Sequence, residues 1–453
     1  MKNVLVSLAL VVCSTAISYA ANSSRAEAMP APDDRYKADI LLIVAHPDDE
    51  TAVTGYLARA IFEQHKRVAV IFGTPGNSGG DATSYAQAGA LGAERQIEAR
   101  KALASFGVMN VWFLGGTDTP GQDVLRSLET WNHGAALWQT VRLVRLTRPS
   151  VILTWLPHYV AGENHGDHQA ASVLATEAFD MAGDPTVFPE QVAAPPDREN
   201  IGNLTEGLEP WQPEKLYFFS DAMHSDFQEG KGPRYSNEDI SPSKHQPYYK
   251  LAADEMVFHL TQSDTGQFAK KVIATNDYKY FREPVRFIFG KSLVPGSVTG
   301  DILEGVVPGP IPYVHPRGFV SLVQTGTSIE LGGPFAFYRQ FWDAHGLDRL
   351  KSLLGPEAAL DAGSVLHIPI LIHSDRDQDV TLALTLPEGW HKLGGFDTYP
   401  LTAGGTYPVE ITIQTSAQKA KSPQTVRIAA QTGGRRIGST AMAVTLISGG
   451  LPQ

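Results

Sequence analysis

Apolar and polar positions alternate along the first half of the chain in blocks that predict strands followed by helices. Four apolar runs predict buried strands, at residues 38–44, 67–72, 108–114 and 151–155. Between them, apolar residues recur at helical spacing, at residues 51–64, 89–106 and 137–146. Because continuous apolar strands that alternate with helices are typical of parallel sheets covered on both faces, we predict an α/β unit with a Rossmann-like, mostly parallel sheet.

The pattern changes near residue 362. Short alternating runs separated by glycine and proline turns predict strands at residues 365–368, 380–386, 409–413, 426–430 and 441–447. This pattern predicts a C-terminal all-β sandwich over residues 360–449. It favours neither glycan binding nor a purely stabilising or spacing role. The α/β unit is assigned residues 38–345, which includes a less regular extension from residue 263.

The N-terminus has the pattern of an export signal. Lys2 precedes an apolar run at residues 4–12, and Ser18-Tyr19-Ala20 provides small residues for cleavage. We therefore predict a signal peptide at residues 1–20 and an exported protein, periplasmic or secreted. The run is shorter than the ~20 residues that span a bilayer, so no stable membrane anchor is expected. Cys13, the only cysteine, would leave with the signal.

Composition narrows the classes of partner. The 453 residues are 43% hydrophobic and 19% charged, which is typical of a globular protein of two or three domains. The formal net charge of −11 argues against a nucleic-acid partner, because no basic surface is available to neutralise phosphates. Without cysteine in the mature chain, a metal ion would need His, Asp or Glu ligands. The oligomeric state stays open.

Two polar clusters follow predicted parallel strands. His46-Pro47-Asp48-Asp49-Glu50 follows the first strand, and residues 163–168 (ENHGDH) follow the strand at 151–155. Since ligands gather at the carboxyl ends of parallel strands, we expect the clusters to meet. Either cluster alone is also compatible with a helix N-terminus, with Asp48, Asp49 or Asp167 as the capping residue. The glycine-rich residues 73–80 are either a substrate loop or a plain connection.

These motifs resemble the PIG-L/LmbE family of zinc-dependent de-N-acetylases, which includes N-acetylglucosaminyl-phosphatidylinositol and mycothiol-pathway deacetylases. The resemblance rests on AHPDDE at residues 45–50 and HGDH at residues 165–168. ERQIEA at residues 94–99 is similar to the family's R-x-x-E-A helix, and HLTQ at residues 259–262 to its late H-x-[ST]-Q motif. The resemblance to the family covers about residues 38–262.

The resemblance implies a Zn²⁺ site and a role for each matching residue. The implied zinc ligands are His46, Asp49 and His168. The implied catalytic residues are Asp48 as general base, His165 as oxyanion stabiliser or general acid, and Asp167 as its orienting partner. Arg95 matches an arginine that can contact substrate. The chemistry agrees, because three protein ligands leave a position open for water, as a catalytic zinc site requires.

The functional hypothesis is an exported zinc-dependent hydrolase that removes N-acetyl groups from an amino sugar or glycoconjugate, with activated water and an aspartate base. Two alternatives remain. The first is a zinc amidase for another acylated substrate, such as a glycopeptide or thiol conjugate. The second is a non-catalytic glycan-binding protein that has kept the fold.

Overall fold

The computed structural model describes residues 33–159, 165–192, 208–222, 225–316, 325–353 and 355–447. The predicted signal peptide at residues 1–20 lies outside these ranges, as do Glu163 and Asn164 of the second polar cluster. Within the described ranges, no helix combines the length and the apolar character that crossing a membrane requires.

Six strands form the main sheet of the N-terminal half. They are β1 (Ile40–Val44), β2 (Val68–Phe72), β3 (Val111–Phe113), β4 (Val151–Trp155), β5 (Lys215–Phe219) and β8 (Ile288–Ser292). Their order is β3-β2-β1-β4-β5-β8, and all neighbours are parallel except β5 and β8. Strands β6 (Arg234–Tyr235) and β7 (Val285–Arg286) pair separately. The predicted α/β class with a mostly parallel sheet is confirmed.

Helices cover both faces of this sheet. In chain order they are α1 (Thr54–Phe62), α2 (Ala88–Ser105), α3 (Val124–Thr130), α4 (His133–Thr147), α5 (Gly166–Met181), α6 (Tyr248–Met256) and α7 (Phe268–Thr275). Alternate residues of a strand face opposite helix layers. Ile40, Leu42 and Val44 of β1 share a core with α1, α2 and α6, whereas Leu41 and Ile43 share a core with α3, α4 and α5.

The strand order places a topological switch point between β1 and β4. The chain leaves β1 toward β2 on one side, and β4 lies on the other side of β1. A crevice opens at such a point at the carboxyl ends of the strands, and ligands of open α/β sheets bind there. The turn after β1 and the N-terminus of α5, which follows β4, both lie at this edge.

The C-terminal part is built from two packed sheets. Its strands are β9 (Ser328–Leu331), β10 (Glu357–Asp361), β11 (Val365–His373), β12 (Gln378–Thr385), β13 (His391–Gly394), β14 (Thr398–Leu401), β15 (Thr406–Gln414), β16 (Gln424–Thr432) and β17 (Arg435–Ile447). The sheet orders are β10-β17-β16-β12-β14 and β13-β15-β11-β9, with one apolar core between them. Gly433 and Gly434, both at positive φ, form the hairpin turn between β16 and β17.

Strand β9 and the helix that follows it, α8 (Pro334–His345), belong to different cores. Both lie in the stretch that the sequence assigned to the α/β unit, yet β9 pairs with β11 of the sandwich. Helix α8 instead buries Tyr338 and Trp342 in the α/β core. The Tyr338 hydroxyl donates to Oε1 of Gln169, 2.5 Å away, and Trp342 Nε1 donates to the Pro157 carbonyl. The division at residues 345 and 360 stays a prediction.

Replacing Trp342 with alanine is expected to lower the free energy of unfolding by about 3–5 kcal/mol. Trp342 is buried, stacks on His158 with ring centroids 5.1 Å apart, and donates from its indole N–H to the Pro157 carbonyl, so it joins α8 to the segment that follows β4. Urea denaturation measures the loss. Phe396→Ala is the control, because this aromatic side chain is 76% exposed and its removal should leave stability nearly unchanged. Equal effects of the two substitutions would contradict the packing role of α8.

Candidate metal centre

The turn after β1 is organised around the carboxylate of Asp49. Its Oδ2 accepts hydrogen bonds from the backbone N–H groups of Ala45 (2.8 Å) and His46 (3.0 Å) and from Nε1 of Trp155 (2.7 Å). Its Oδ1 faces two imidazoles, at 3.6 Å from Nδ1 of His46 and 3.2 Å from Nε2 of His168. One oxygen is therefore fixed by the protein, while the other is directed to the histidines.

The second cluster is positioned by the start of α5. His165 is the N-cap residue, and His168 lies in the first turn. The ring of His168 stacks on Trp155 of β4, with centroids 4.2 Å apart and an interplanar angle of 4°. Because Trp155 also donates to Asp49, one buried indole orients a residue of each cluster. The two clusters therefore meet, as the strand pattern predicted.

Asp167 lies behind the histidines and is fully buried. Its carboxylate accepts hydrogen bonds from the backbone N–H of Thr119 (2.8 Å) and from the Thr119 hydroxyl (2.6 Å). Its Oδ2 is 3.2 Å from Nε2 of His46 and 3.6 Å from Nδ1 of His165. Asp167 thus lies closer to His46 than to His165, the partner that the resemblance implies for it. Its contact with His46 fixes the orientation of that ring.

The predicted ligands have the donors and spacing that a divalent cation needs. The ligand atoms of His46, Asp49 and His168 lie within 4.8 Å of one another, and a second such group joins His46, His165 and Asp167. Asp118 adds a buried oxygen, Oδ1, which lies 4.0 Å from Nε2 of His46 and has no hydrogen-bond partner among the residues that the structure describes. Imidazole nitrogens with carboxylate oxygens are a donor set that suits zinc.

The charges of the cluster are strongly coupled. Burial alone would lower the pKa of His46, but hydrogen bonds to Asp167 and Asp49 hold it well above its ordinary value. Burial would raise the pKa of Asp49, yet the adjacent His168 and His46 hold it well below its ordinary value. Such a concentration of buried carboxylates and imidazoles requires positive charge, supplied either by protons or by a bound cation.

Asp48 differs from its neighbours His46 and Asp49 because its carboxylate points to another partner. Its backbone is left-handed, with φ 105° and ψ −16°, a conformation that aspartate tolerates better than most residues. Its carboxylate accepts a 2.6 Å hydrogen bond from the hydroxyl of Thr265, and its N–H donates to Oε2 of Glu50. Burial raises the pKa of Asp48 to about 7. Neither potential ligand group at the centre includes it.

Behind Asp48 lies a fully enclosed acidic cluster. Nε2 of His259 is 2.9 Å from Oε1 of Glu50, and both side chains are completely buried. Glu255 lies beside them, and its Oε2 accepts from the hydroxyl of Thr54. Burial and the neighbouring Glu50 raise the pKa of Glu255 to about 8. Burial opposes the charge of His259, but Glu50 raises its pKa to about 9. Glu50 therefore supports the turn through its ion pair with His259 and through the hydrogen bond that it accepts from the Asp48 N–H.

The late HLTQ motif contacts helix α2 and the turn after β1 at residues 46–50, which is called the metal-centre turn below. Gln262 Nε2 donates to the Pro47 carbonyl, and Thr261 donates through its N–H and its hydroxyl to Glu98 of α2. The spacing of apolar residues predicts a helix over residues 251–262, but α6 ends at Met256, so this prediction is wrong at its C-terminal end. The helix does not continue because Thr261 binds Glu98 of α2, whereas the nearby Gln262 binds the Pro47 carbonyl of the metal-centre turn.

Arg95 closes the glycine-rich loop that follows β2. It is buried, and its guanidinium donates to the carbonyls of Gly76 (2.9 Å), Ser78 (2.8 Å) and Gly80 (2.9 Å), while Nε donates to the hydroxyl of Thr261. The loop is therefore held to α2 over much of its length. Contact between Arg95 and substrate stays a prediction.

Arg95→Ala is expected to lower the free energy of unfolding by about 1–3 kcal/mol, because three carbonyls and the Thr261 hydroxyl lose a charged donor. Chemical denaturation measures this loss, and limited proteolysis shows whether the loop opens. Lys101→Ala removes a positive charge from an exposed position of the same helix and should have little effect. Unchanged stability together with a raised KM would instead identify Arg95 as a substrate contact.

Several residues of the centre carried no signal in the sequence by themselves. Trp155 and Thr119 hold Asp49 and Asp167, and Thr265 holds Asp48. Asp118 could have been found, because it follows β3 at the same edge of the sheet as His46. Asp48 does stand at the N-cap position of the short helical turn Asp49–Ala52, but its side chain makes no capping hydrogen bond to that turn. The carboxylates of Asp49 and Asp167 bind groups on other elements.

The fold and this cluster define a class: an α/β protein with a candidate His/Asp metal site at the switch point of a mostly parallel sheet. Within it, residues 41–179 match the family model described as "PIG-L: GlcNAc-PI de-N-acetylase". These residues form a PIG-L domain.

Curated relatives match the same part of the chain. A 1D-myo-inositol 2-acetamido-2-deoxy-alpha-D-glucopyranoside deacetylase of Thermobifida fusca is 30% identical over 193 residues, which is 39% of this chain and 60% of the relative. A relative of the same name from Geodermatophilus obscurus is 31% identical over 166 residues, 33% of this chain and 56% of the relative. The chain thus spans about 60% or less of the length of these relatives.

Among solved structures, N,N'-diacetylchitobiose deacetylase from Pyrococcus horikoshii is similar over 55% of this chain and 83% of its own. Its sequence identity is 17% and its TM-score is 0.37. At this TM-score the likeness supports no inference about chemistry.

Proposed function

We propose that this protein is an exported, zinc-dependent hydrolase that removes the acetyl group from an N-acetylated amino sugar of the N-acetylglucosamine type. The observation that carries the proposal is the meeting of His46, Asp49 and His168 within a PIG-L domain, with their ligand atoms within 4.8 Å of one another. The names of the curated relatives support the amino-sugar substrate and the deacetylation.

His46, Asp49 and His168 would hold the metal ion. When bound, zinc supplies Lewis acidity and an activated water molecule. Three N–H groups bind Oδ2 of Asp49 and thereby fix the orientation of Oδ1, the oxygen that faces the histidines. Asp167 and Trp155 orient the two histidines in the same way. Such outer contacts set ligand orientation and strengthen the binding of a metal ion.

The remaining groups divide the proton transfers between them. Asp48 is next to a ligand without belonging to the ligand group, so it can accept the proton of the attacking water. His165 lies across the centre, with its ring centroid 5.3 Å from that of His46. It can stabilise the oxyanion or give a proton to the leaving nitrogen. The carbon–nitrogen bond breaks, a carbon–oxygen bond forms, and the products are acetate and a free amino sugar.

Export is part of the proposal and is supported only by the sequence pattern of residues 1–20. Sequencing the N-terminus of protein recovered outside the cytoplasm tests it. The expected mature chain begins after Ala20 or Ala21. A protein retained with residues 1–20 intact would contradict export without affecting the proposed activity.

A substrate panel tests the proposed reaction. Purified protein supplied with zinc is incubated with N-acetylglucosamine, its inositol glycoside, N-acetylated oligosaccharides, an acylated glycopeptide and an N-acetylated thiol conjugate. We expect acetate release from the amino sugars, with one free amine formed for each acetate. Release only from the glycopeptide or the thiol conjugate would show that the substrate is another acylated compound and not an N-acetylated amino sugar. Binding of sugars without acetate release would identify a glycan-binding protein.

A further inference from the structure

The segment at residues 259–266 contacts the metal-centre turn at successive points, although more than 200 positions separate them in sequence. His259 pairs with Glu50, and Gln262 donates to the carbonyl of Pro47. Thr265 donates to Oδ2 of Asp48. The segment thus contacts residues on both sides of Asp48 as well as Asp48 itself.

We propose that Thr265 is a positioning residue for Asp48: its hydroxyl holds Oδ2 and thereby sets the orientation in which Oδ1 accepts the proton of the attacking water. This role rests on the proposed function, in which Asp48 is the base. Among the described residues, Thr265 is the only hydrogen-bond donor to this carboxylate. Without it, the carboxylate could rotate about its side-chain bonds.

The backbone around Thr265 is built to present this hydroxyl. Residues Ser263–Gln267 form a single π-helical turn, a distortion found frequently at functional sites. Gly266 makes the turn possible, because a Cβ atom there would lie 2.2 Å from the carbonyl oxygen of His259. Thr265 itself is 5% exposed. Its position is therefore set by the fold before any substrate binds.

The hydrogen bond has the properties of a strong orienting contact. At 2.6 Å it joins a hydroxyl to a buried carboxyl group, and hydroxyl bonds to charged acceptors are short and strong. The segment that carries Thr265 is also fixed from the other side, because Thr261 donates through its N–H and its hydroxyl to Glu98 of α2. Displacement of a reacting group by about 1 Å can lower a rate roughly 100-fold.

Three threonine variants test the proposal. Thr265→Val removes the hydroxyl with little change of shape, and Thr265→Ser keeps the hydroxyl. Thr275→Val makes the same chemical change at an exposed position at the end of α7. For each variant the measurements are kcat and KM of acetate release, bound zinc per chain and the thermal unfolding midpoint.

We expect Thr265→Val to lower kcat by roughly 10- to 100-fold while KM and bound zinc stay at wild-type values. Thr265→Ser should restore most of kcat, and Thr275→Val should match the wild type. A wild-type kcat in Thr265→Val, an equal loss in Thr265→Ser, or loss of zinc from Thr265→Val would each overturn this role. A wild-type protein without deacetylase activity would overturn the proposed function itself, which is a distinguishable result.

Discussion

Replacing Asp48 with asparagine is expected to lower kcat for acetate release by roughly 10²- to 10⁴-fold, while the protein keeps its zinc. The reason is positional, because Asp48 lies beside the proposed ligand Asp49 but outside both candidate ligand groups at the centre. Its carboxylate instead contacts Thr265. Loss of the carboxylate removes the acceptor for the proton of the attacking water and leaves the three ligands intact.

The choice of variant follows from the backbone of Asp48. At φ 105° an alanine would be strained, whereas asparagine, like aspartate, tolerates positive φ. Asp48→Asn therefore separates chemistry from folding better than Asp48→Ala, and Asp48→Gly removes the side chain without strain. Wild-type turnover in Asp48→Asn would show that another group is the base. Loss of zinc would show that Asp48 is a ligand.

His168→Ala is expected to remove both zinc and activity. Substitution of groups that only orient a ligand weakens metal binding about 10- to 100-fold, so the loss of a ligand should weaken it by more. His168 also stacks on Trp155, which holds Asp49, so its removal disturbs a second ligand. Zinc content after gel filtration and acetate release are the two measurements.

His133→Ala provides the control for this substitution. His133 begins α4 and pairs with Glu177 of α5 at 2.6 Å, outside both ligand groups at the centre. This variant should keep zinc and turnover. If His168→Ala bound zinc as tightly as His133→Ala, the assignment of His168 as a ligand would be wrong.

Apolar patterning was sufficient to predict the sheet and the edge where the site lies. Strand β1 is buried on both faces, so its continuous apolar run could be recognised without a tertiary model. Five of the nine strands of the C-terminal part were predicted, and β12 and β16 among them alternate buried and exposed residues with period two. The four strands that were missed, β9, β10, β13 and β14, are only four or five residues long. The strand pattern therefore predicted that the two polar clusters meet at one edge of the sheet, whereas the choice of His46, Asp49 and His168 as ligands came from the resemblance to the PIG-L/LmbE family.

The contacts that orient these residues could not be predicted, because they depend on the tertiary structure. Thr265 reaches Asp48 across 217 positions, and Trp155 reaches Asp49 across 106. Neither side chain differs in type from an ordinary core or loop residue. The same reasoning explains the helix predicted over residues 251–262. Its apolar spacing is helical, but the partners of His259 and Gln262 favour a non-helical path.

A zinc titration of chelator-stripped protein, with acetate release from an N-acetylglucosaminyl inositol as the readout, tests the central claim most directly. The account predicts no release without metal, a rise as zinc is added, and saturation at one zinc ion per chain. Full activity in the stripped protein, or no acetate release at any zinc concentration, would contradict it.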